Sequence, residues 1–192
     1  MKPRISTDNP DQRMPKTNDR RPATAQPSTR IGYGFDSHEF RSGIPLKIGG
    51  ITLQHDKGLG GHSDGDVLLH AITDALLGAI AAPDIGALFP PSDPKWKGAD
   101  SVIFLREALA RVHDSGYGVA NVDASLILAA PKIGPHAAVI RTRVAELLGV
   151  HSDCVGLKAK TPEGLNLDAA AIAHVVVLLQ KARQKRRRTK SR

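Results

Sequence analysis

The stretch Gly61-His62-Ser63-Asp64-Gly65-Asp66-Val67-Leu68-Leu69-His70 limits what this chain can fold into more than any other. Ser63, followed three residues later by Asp66, has the shape of a capping box at a helix N-terminus. Val67, Leu68, Ala71, Ile72, Ala75, Leu76 and Ala79 then recur at helical spacing, which predicts a helix to about Ala79. Asp66, His70 and Asp74, each four apart, share another face of it. A histidine this early in a helix can point back toward whatever gathers at the positive N-terminal end. Upstream, Asp36-Ser37-His38 closes a short apolar run, Ile31 to Phe35. In extended chain, positions i and i+2 face the same side, so Asp36, His38 and His70 can offer one carboxylate and two imidazoles to a single metal ion. Such a set suits zinc with an open fourth position. The plainer alternative has Asp36 ending a strand, His38 in a loop and His70 packed in the core.

The remaining chemistry-bearing segments carry similar alternatives. His62-Ser63 precedes a helix, where unpaired N–H groups and the helix dipole attract anions. Lys160-Thr161-Pro162-Glu163 follows a short apolar run and groups a cation, a hydroxyl and a carboxylate, or is an exposed turn around Pro162. Asp84-Ile85-Gly86 presents a carboxylate for sugar-type hydroxyls or simply marks a helix exit. Ala130-Pro131-Lys132 faces a nucleotide or is a strand-ending turn.

With 192 residues the chain has room for one domain and two tails. Its net charge of +8 belongs to the ends. Residues 1–30 hold seven Lys/Arg against three acids, and 181–192 hold eight against none, leaving twelve basic and sixteen acidic residues between. Specific nucleic-acid binding is disfavoured, because it would need cations interleaved with aromatics on a folded face, and the chain has seven aromatics. No apolar run approaches a membrane span. The lone Cys154 excludes an internal disulfide and fits a reducing compartment. Asp8, Asp11 and Asp19 disfavour a plastid transit segment, which leaves a bacterial cytoplasmic location as the expectation.

Residues 1–29 read as a polar arm, 30–180 as the folded domain and 181–192 as a basic tail. Within the domain the pattern predicts a hairpin across Gly49-Gly50, a Gly-rich loop from Asp56 to Gly61, and a long Pro-punctuated loop from Asp84 to Lys97. Helices are expected over Ser101–Ser115 and Pro135–Leu148, with strands over Val119–Ala130, Val155–Ala159 and Ile172–Leu179. Strands alternating with helices imply an α/β or α+β layered domain.

Six spaced segments resemble the 2-C-methyl-D-erythritol 2,4-cyclodiphosphate synthase family. They are Gly34-Phe35-Asp36-x-His38, His62 to Asp66 with His70, Asp84 to Pro90, Lys97 to Ser101, Ala130 to Lys132, and Lys158-Ala159-x-Thr161-x-Glu163. The resemblance spans about residues 30–180 in order. It implies an α+β two-layer sandwich, a mixed four- to five-stranded sheet with about three helices, assembled as a homotrimer with active sites between neighbours. It implies a lyase of the non-mevalonate isoprenoid pathway that cyclises a cytidine diphosphate derivative of methylerythritol 2-phosphate and releases CMP.

On that resemblance Asp36, His38 and His70 hold one zinc or other divalent ion per subunit. Glu163 holds a second, Mg or Mn, against the diphosphate, while His62 and Thr161 stabilise the transition state. Ser63, Asp84, Ile85, Gly86, Phe89 and Asp93 join the substrate side, and Ala130, Pro131, Lys132, Lys160 and Thr161 the nucleotide side. A different zinc phosphohydrolase or phosphotransferase reusing these ligands is the competing reading. Two departures stand out: Pro91 replaces a usual acid, and Gly164 to Ala171 lacks the family's Gly-Arg-Gly run.

All the motifs lie between the tails. Deleting residues 1–28 and 183–192 is expected to leave assembly and turnover little changed, checked by light scattering and steady-state kinetics.

Overall fold

The computed structural model describes residues 26–165 and 168–182. The expectations for the N-terminal arm before residue 26, the tail from residue 183, and Asn166 and Leu167 lie outside the described residues. The long strand β1, Thr29–Ser42, starts the fold. A hairpin follows, β2 (Leu46–Ile48) with β3 (Ile51–Leu53), and then β4, Lys57–Leu59. Next come α1 (Val67–Ala79), the one-turn α2 (Ile85–Leu88) and α3 (Ser101–Asp114). The order closes with β5 (Tyr117–Ile127), α4 (Ala137–Leu148), β6 (Val155–Lys160) and β7 (Ala170–Lys181).

Five strands form one mixed sheet in the order β4-β1-β7-β5-β6. Only β5 and β6 run parallel, joined through α4, since a parallel pair needs a crossover. This is the α+β architecture expected, with five strands and three long helices. The helices cover one face. There α1 lies across β1 and β7, while α3 packs beside α1 and β5, and α4 packs on β6. Ala171, Ala173, Val175, Val177 and Leu179 of β7 alternate into this layer and are fully buried. Val122, Ala124, Leu126 and Leu128 also point inward, as the strand pattern predicts. Among the described residues no helix covers the other face, and Ile31, Tyr33, Phe35 and Val176 stand on it at 71, 58, 48 and 44% exposure.

The depth at which α1 sits is set by two glycines. A Cβ on Gly34 would lie 1.9 Å from the Ala71 carbonyl oxygen, and one on Gly32 would lie 1.8 Å from that of Ala75. The helix backbone therefore rests directly on the strand. The periods match: two strand residues advance about 6.6 Å and four helix residues about 6.0 Å. Gly32 and Gly34 can thus meet successive alanines of α1.

Several boundaries differ from expectation, each for a local reason. Asp66 rather than Ser63 caps α1, its Oδ1 accepting from Leu69 N at 3.0 Å. The same carboxylate is fully buried and also accepts from Gly49 N (2.9 Å) and Gly50 N (2.7 Å), so one side chain ties the hairpin turn to the helix start. His38 is not in a loop, because β1 runs on through polar residues while its register with β7 holds to Glu39–Ala170. The expected Gly-rich loop contains β4, which pairs with Phe40 to Ser42 at the end of β1. β5 begins at Tyr117, two residues before the strand expected from Val119. The long loop from Asp84 contains α2 and a 3-10 turn, Pro94–Trp96, and the helix expected from Pro135 enters through another, Gly134–His136.

Gly34→Ala is expected to cost about 3 kcal/mol or more, because the obstructing atom is backbone and cannot rotate away. Urea unfolding of the purified variant measures it, and a control with open space such as the half-buried Gly118→Ala, whose Cβ meets nothing within 4 Å, should be far milder.

Candidate active site

Strand period and helix depth together bring three donors to one point. Asp36 and His38 lie two and four residues beyond Gly34, on the face of β1 that supports the helix. Their neighbours on β7 are Ala173 and Ala171, whose small side chains leave space above them. His70, on the first turn of α1, meets them from the helix layer. Asp36 Oδ2 is 2.9 Å from His38 Nε2 and 3.0 Å from His70 Nδ1, and the two ring nitrogens are 3.0 Å apart. Among the described residues this is the cluster of His, Cys, Asp and Glu able to hold a metal ion.

The donor set fits zinc. Two imidazoles and one carboxylate are its usual catalytic ligands, and bonds of about 2.0–2.2 Å place tetrahedral donors about 3.3 Å apart. The observed triangle needs to open by only a few tenths of an ångström. Burial alone would raise the Asp36 carboxyl, but the hydrogen bonds and charges of His38 and His70 outweigh it and hold it well below the usual carboxylate range. Burial works to lower His38, yet its hydrogen bond to Asp36 and that carboxylate's charge leave it above its ordinary value. The triad is therefore strongly coupled even as protein alone.

The triad opens into a cleft of about 230 Å³ shared with His62, Ser63, Ile85, Gly86, Phe89, Pro91, Trp96 and Phe104. Phe89, Trp96 and Phe104 form an aromatic wall, with ring centroids 4.6–5.7 Å apart. Among the described residues the buried Nε2 of His62 has no hydrogen-bond partner, nor has the Nε1 of Trp96. Asp84 does not line this cleft. It caps α2, its Oδ1 accepting from Ala87 N at 2.8 Å, and Asp74 accepts from Ile85 N at 2.8 Å. Asp93 caps the following 3-10 turn through Lys95 N.

The expected nucleotide-side residues gather elsewhere. Pro131, Lys132, Lys160 and Thr161 line a second cavity of about 310 Å³ with Leu128, Ile133 and Gly134, while Ala130, joined to Pro131 by a cis peptide, lines a third. Thr161 Oγ1 donates to Glu163 Oε1. Glu163 has φ +48 and is followed by Gly164 at φ +80, a left-handed pair that turns its carboxylate back toward the threonine. Strand pairing puts Ser37, Ile172, Ile127 and Lys160 in one row, so the Asp36–His38–His70 triad and Lys160 share an end of the sheet, about 14 Å apart at three strand spacings.

Sequence reasoning gave no role to Lys47, Asp64 or Ser101, which form a run of contacts ending on His70, with Ser101 Oγ 2.8 Å from its Nε2. Lys47 Nζ lies 3.0 Å from Asp64 Oδ2, and Ser101 Oγ donates to Asp64 Oδ1. Burial raises the Asp64 carboxyl, but the Ser101 and Lys47 hydrogen bonds and the lysine charge bring it below its ordinary value. A carboxyl lowered on folding adds stability above its unfolded value, about 3.9, and loses it as the pH falls further. Lys47→Met should therefore cost about 1 kcal/mol at neutral pH, the upper end for a partly exposed pair. That difference should fade below about pH 4, which urea titrations at pH 7 and pH 3 can compare.

This geometry sits in a chain with close relatives. Residues 29–180 match the model of the YgbB family. A protein of Koribacter versatilis named 2-C-methyl-D-erythritol 2,4-cyclodiphosphate synthase is 70% identical over 152 residues, 79% of this chain and 98% of that one. A chloroplastic synthase of the same name from Oryza sativa subsp. japonica is 52% identical over 155 residues, covering 79% of this chain and 70% of that one. A solved structure of 2C-methyl-D-erythritol-2,4-cyclodiphosphate synthase in a CDP-bound form superposes with a TM-score of 0.75 at 43% identity, covering 79% of this chain and all of that one. The chain belongs to the YgbB family, together with these cyclodiphosphate synthases.

Proposed function

We propose that this protein converts 4-diphosphocytidyl-2-C-methyl-D-erythritol 2-phosphate to 2-C-methyl-D-erythritol 2,4-cyclodiphosphate and CMP, a phosphorus–oxygen lyase step of the non-mevalonate isoprenoid pathway. The observation that carries this reading is the convergence of Asp36, His38 and His70 at the mouth of an aromatic-walled cleft, in a chain 70% identical to a named synthase. An oxygen of the 2-phosphate forms a bond to the β-phosphorus. The bond from that phosphorus to the bridging oxygen breaks, and CMP leaves with the electron pair. No water is consumed and no protein nucleophile is needed.

The barrier is the approach of one anion to another, so the chain's task is to neutralise charge and to hold the substrate folded. Asp36, His38 and His70 would hold zinc or a similar divalent ion, and Glu163, beside Thr161, a second, Mg or Mn. Bound there, the two ions supply positive charge to the phosphate oxygens. His62, with its buried unpaired Nε2, and Thr161 hydrogen-bond the oxygens on which charge develops. Ser63 and the α2 segment, with Ile85, Gly86 and Phe89, hold the erythritol part of the substrate beside the triad, while Asp84 caps α2 from outside the cleft and Asp93 orders the adjoining loop. Pro131, Lys132 and Lys160 receive the nucleotide, with Ala130 shaping the turn through its cis peptide to Pro131; the CDP-bound relative supports a nucleotide site in this fold.

The two cavities are distinct within one chain. This supports assembly as a homotrimer in which a neighbour's nucleotide pocket completes each metal cleft. The uncovered sheet face, with Ile31, Tyr33, Phe35 and Val176 exposed, is the apolar surface such an assembly would bury.

Phosphorus NMR of the substrate incubated with the protein and Mg tests the reaction. Cyclic diphosphate and CMP are expected in equal amounts without inorganic phosphate; release of phosphate would favour a hydrolase instead. Glu163→Gln is expected to retain zinc yet lower kcat by about 10²–10³-fold, the scale for losing one charge-stabilising group. Unchanged Mg or Mn dependence in that variant would assign Glu163 to another task.

A further inference from the structure

A second set of polar groups converges on the opposite nitrogen of His70. Its Nε2 lies 3.0 Å from Ser63 Oγ and 2.8 Å from Ser101 Oγ. Ser101 is fully buried at the first position of α3, behind the N-cap Asp100. Its hydroxyl donates to Asp64 Oδ1, and Lys47 Nζ holds Asp64 Oδ2 at 3.0 Å. Lys47 and Asp64 are not among the three converging metal donors, and Ser101 offers no ligand to them.

We propose that Ser101, Asp64 and Lys47 form a positioning chain that fixes His70 in the tautomer whose Nδ1 lone pair faces the metal cleft. The proton count requires it. A carboxylate paired with lysine can only accept, and the single hydroxyl proton of Ser101 is given to it. Toward His70 the serine then offers only lone pairs, so the proton on Nε2 must be donated to it. In a neutral imidazole this leaves Nδ1 as the acceptor, 3.0 Å from Asp36 Oδ2 and His38 Nε2. The Ser63 hydroxyl can rotate to share the same N–H but imposes no direction on it. Lys47 and Asp64 anchor the chain in the hairpin and the loop before α1, so the tautomer of a helix residue is set from two other elements.

The inference rests on the metal-holding reading of the triad. Loss of a group that orients a ligating histidine weakens metal binding by about 10–100-fold. The test is competition for zinc between the full chain and a chromophoric chelator. Ser101→Ala should bind zinc about 10–100-fold more weakly than the wild type, while Ser101→Thr, which keeps the hydroxyl, should stay close to it. Asp64→Asn should weaken zinc on its own but add little in the Ser101→Ala background, because both act through one hydrogen bond.

A spectroscopic readout separates positioning from packing. In nitrogen-labelled, zinc-loaded protein the Nε2 proton of His70 should be sheltered from exchange, and in Ser101→Ala it should exchange rapidly. Wild-type affinity in Ser101→Ala, equal losses in the Ala and Thr variants with an unchanged Nε2 proton, or additive effects of the Asp64 and Ser101 changes would each overturn the chain. A wild-type protein that binds no zinc would overturn the metal reading as well, so the two failures are distinguishable.

Discussion

The direct seating of α1 on β1 governs the rest of the molecule. Gly32 and Gly34 let the helix backbone descend onto the strand, with Ala71 and Ala75 carbonyl oxygens where side chains would otherwise stand. As β1 advances, its contacts step from Ala79 and Ala75 to Ala75 and Ala71, so strand and helix run in opposite directions. The next inward positions of the strand are Asp36 and His38, and they arrive where the helix begins. One alternation therefore serves two purposes. It supplies the glycines that accept the helix and, just beyond its first turn, the donor side chains that meet His70.

Two aspartates before α1 tie its start to the neighbouring segments. The buried Asp66 satisfies three backbone N–H groups, two in the hairpin turn and one in α1, which fixes the loop carrying His62 and Ser63. Unsatisfied buried donors would cost about 1–3 kcal/mol each, so this carboxylate outweighs many surface ion pairs. Asp64, one residue before Gly65, works outward instead, toward Lys47 and Ser101. The two aspartates divide the neighbourhood of His70 between fold and site.

Much of this was legible in the sequence, because strong periodicity and strong motifs coincide. The long helices and β5, β6 and β7 follow from apolar spacing, while strand and helix periods only allowed Asp36, His38 and His70 to converge, and the family resemblance favoured that over the plainer alternative. What escaped depends on tertiary context. β4 is three residues long and exists because it pairs with the end of β1, and His38 is in a strand because β7 continues beside it. Asp66 displaced Ser63 as the cap because the hairpin amides come to it. Ser101 and Asp64 are 37 residues apart, a relation that no local pattern carries. The aromatic wall was missed similarly: Phe104 reads as an ordinary helix core position until Phe89 and Trp96 fold over it.

X-ray absorption at the zinc edge tests the central claim most directly, that this strand–helix contact builds a metal site from one carboxylate and two imidazoles. Protein purified with zinc present should hold one ion per chain, with nitrogen and oxygen neighbours at about 2.0–2.2 Å, and imidazole scattering that weakens in His70→Ala. A protein that retains no zinc, or whose zinc shows sulfur at about 2.3 Å, would contradict it. The only thiol, Cys154, stands in the turn before β6 and outside the cleft.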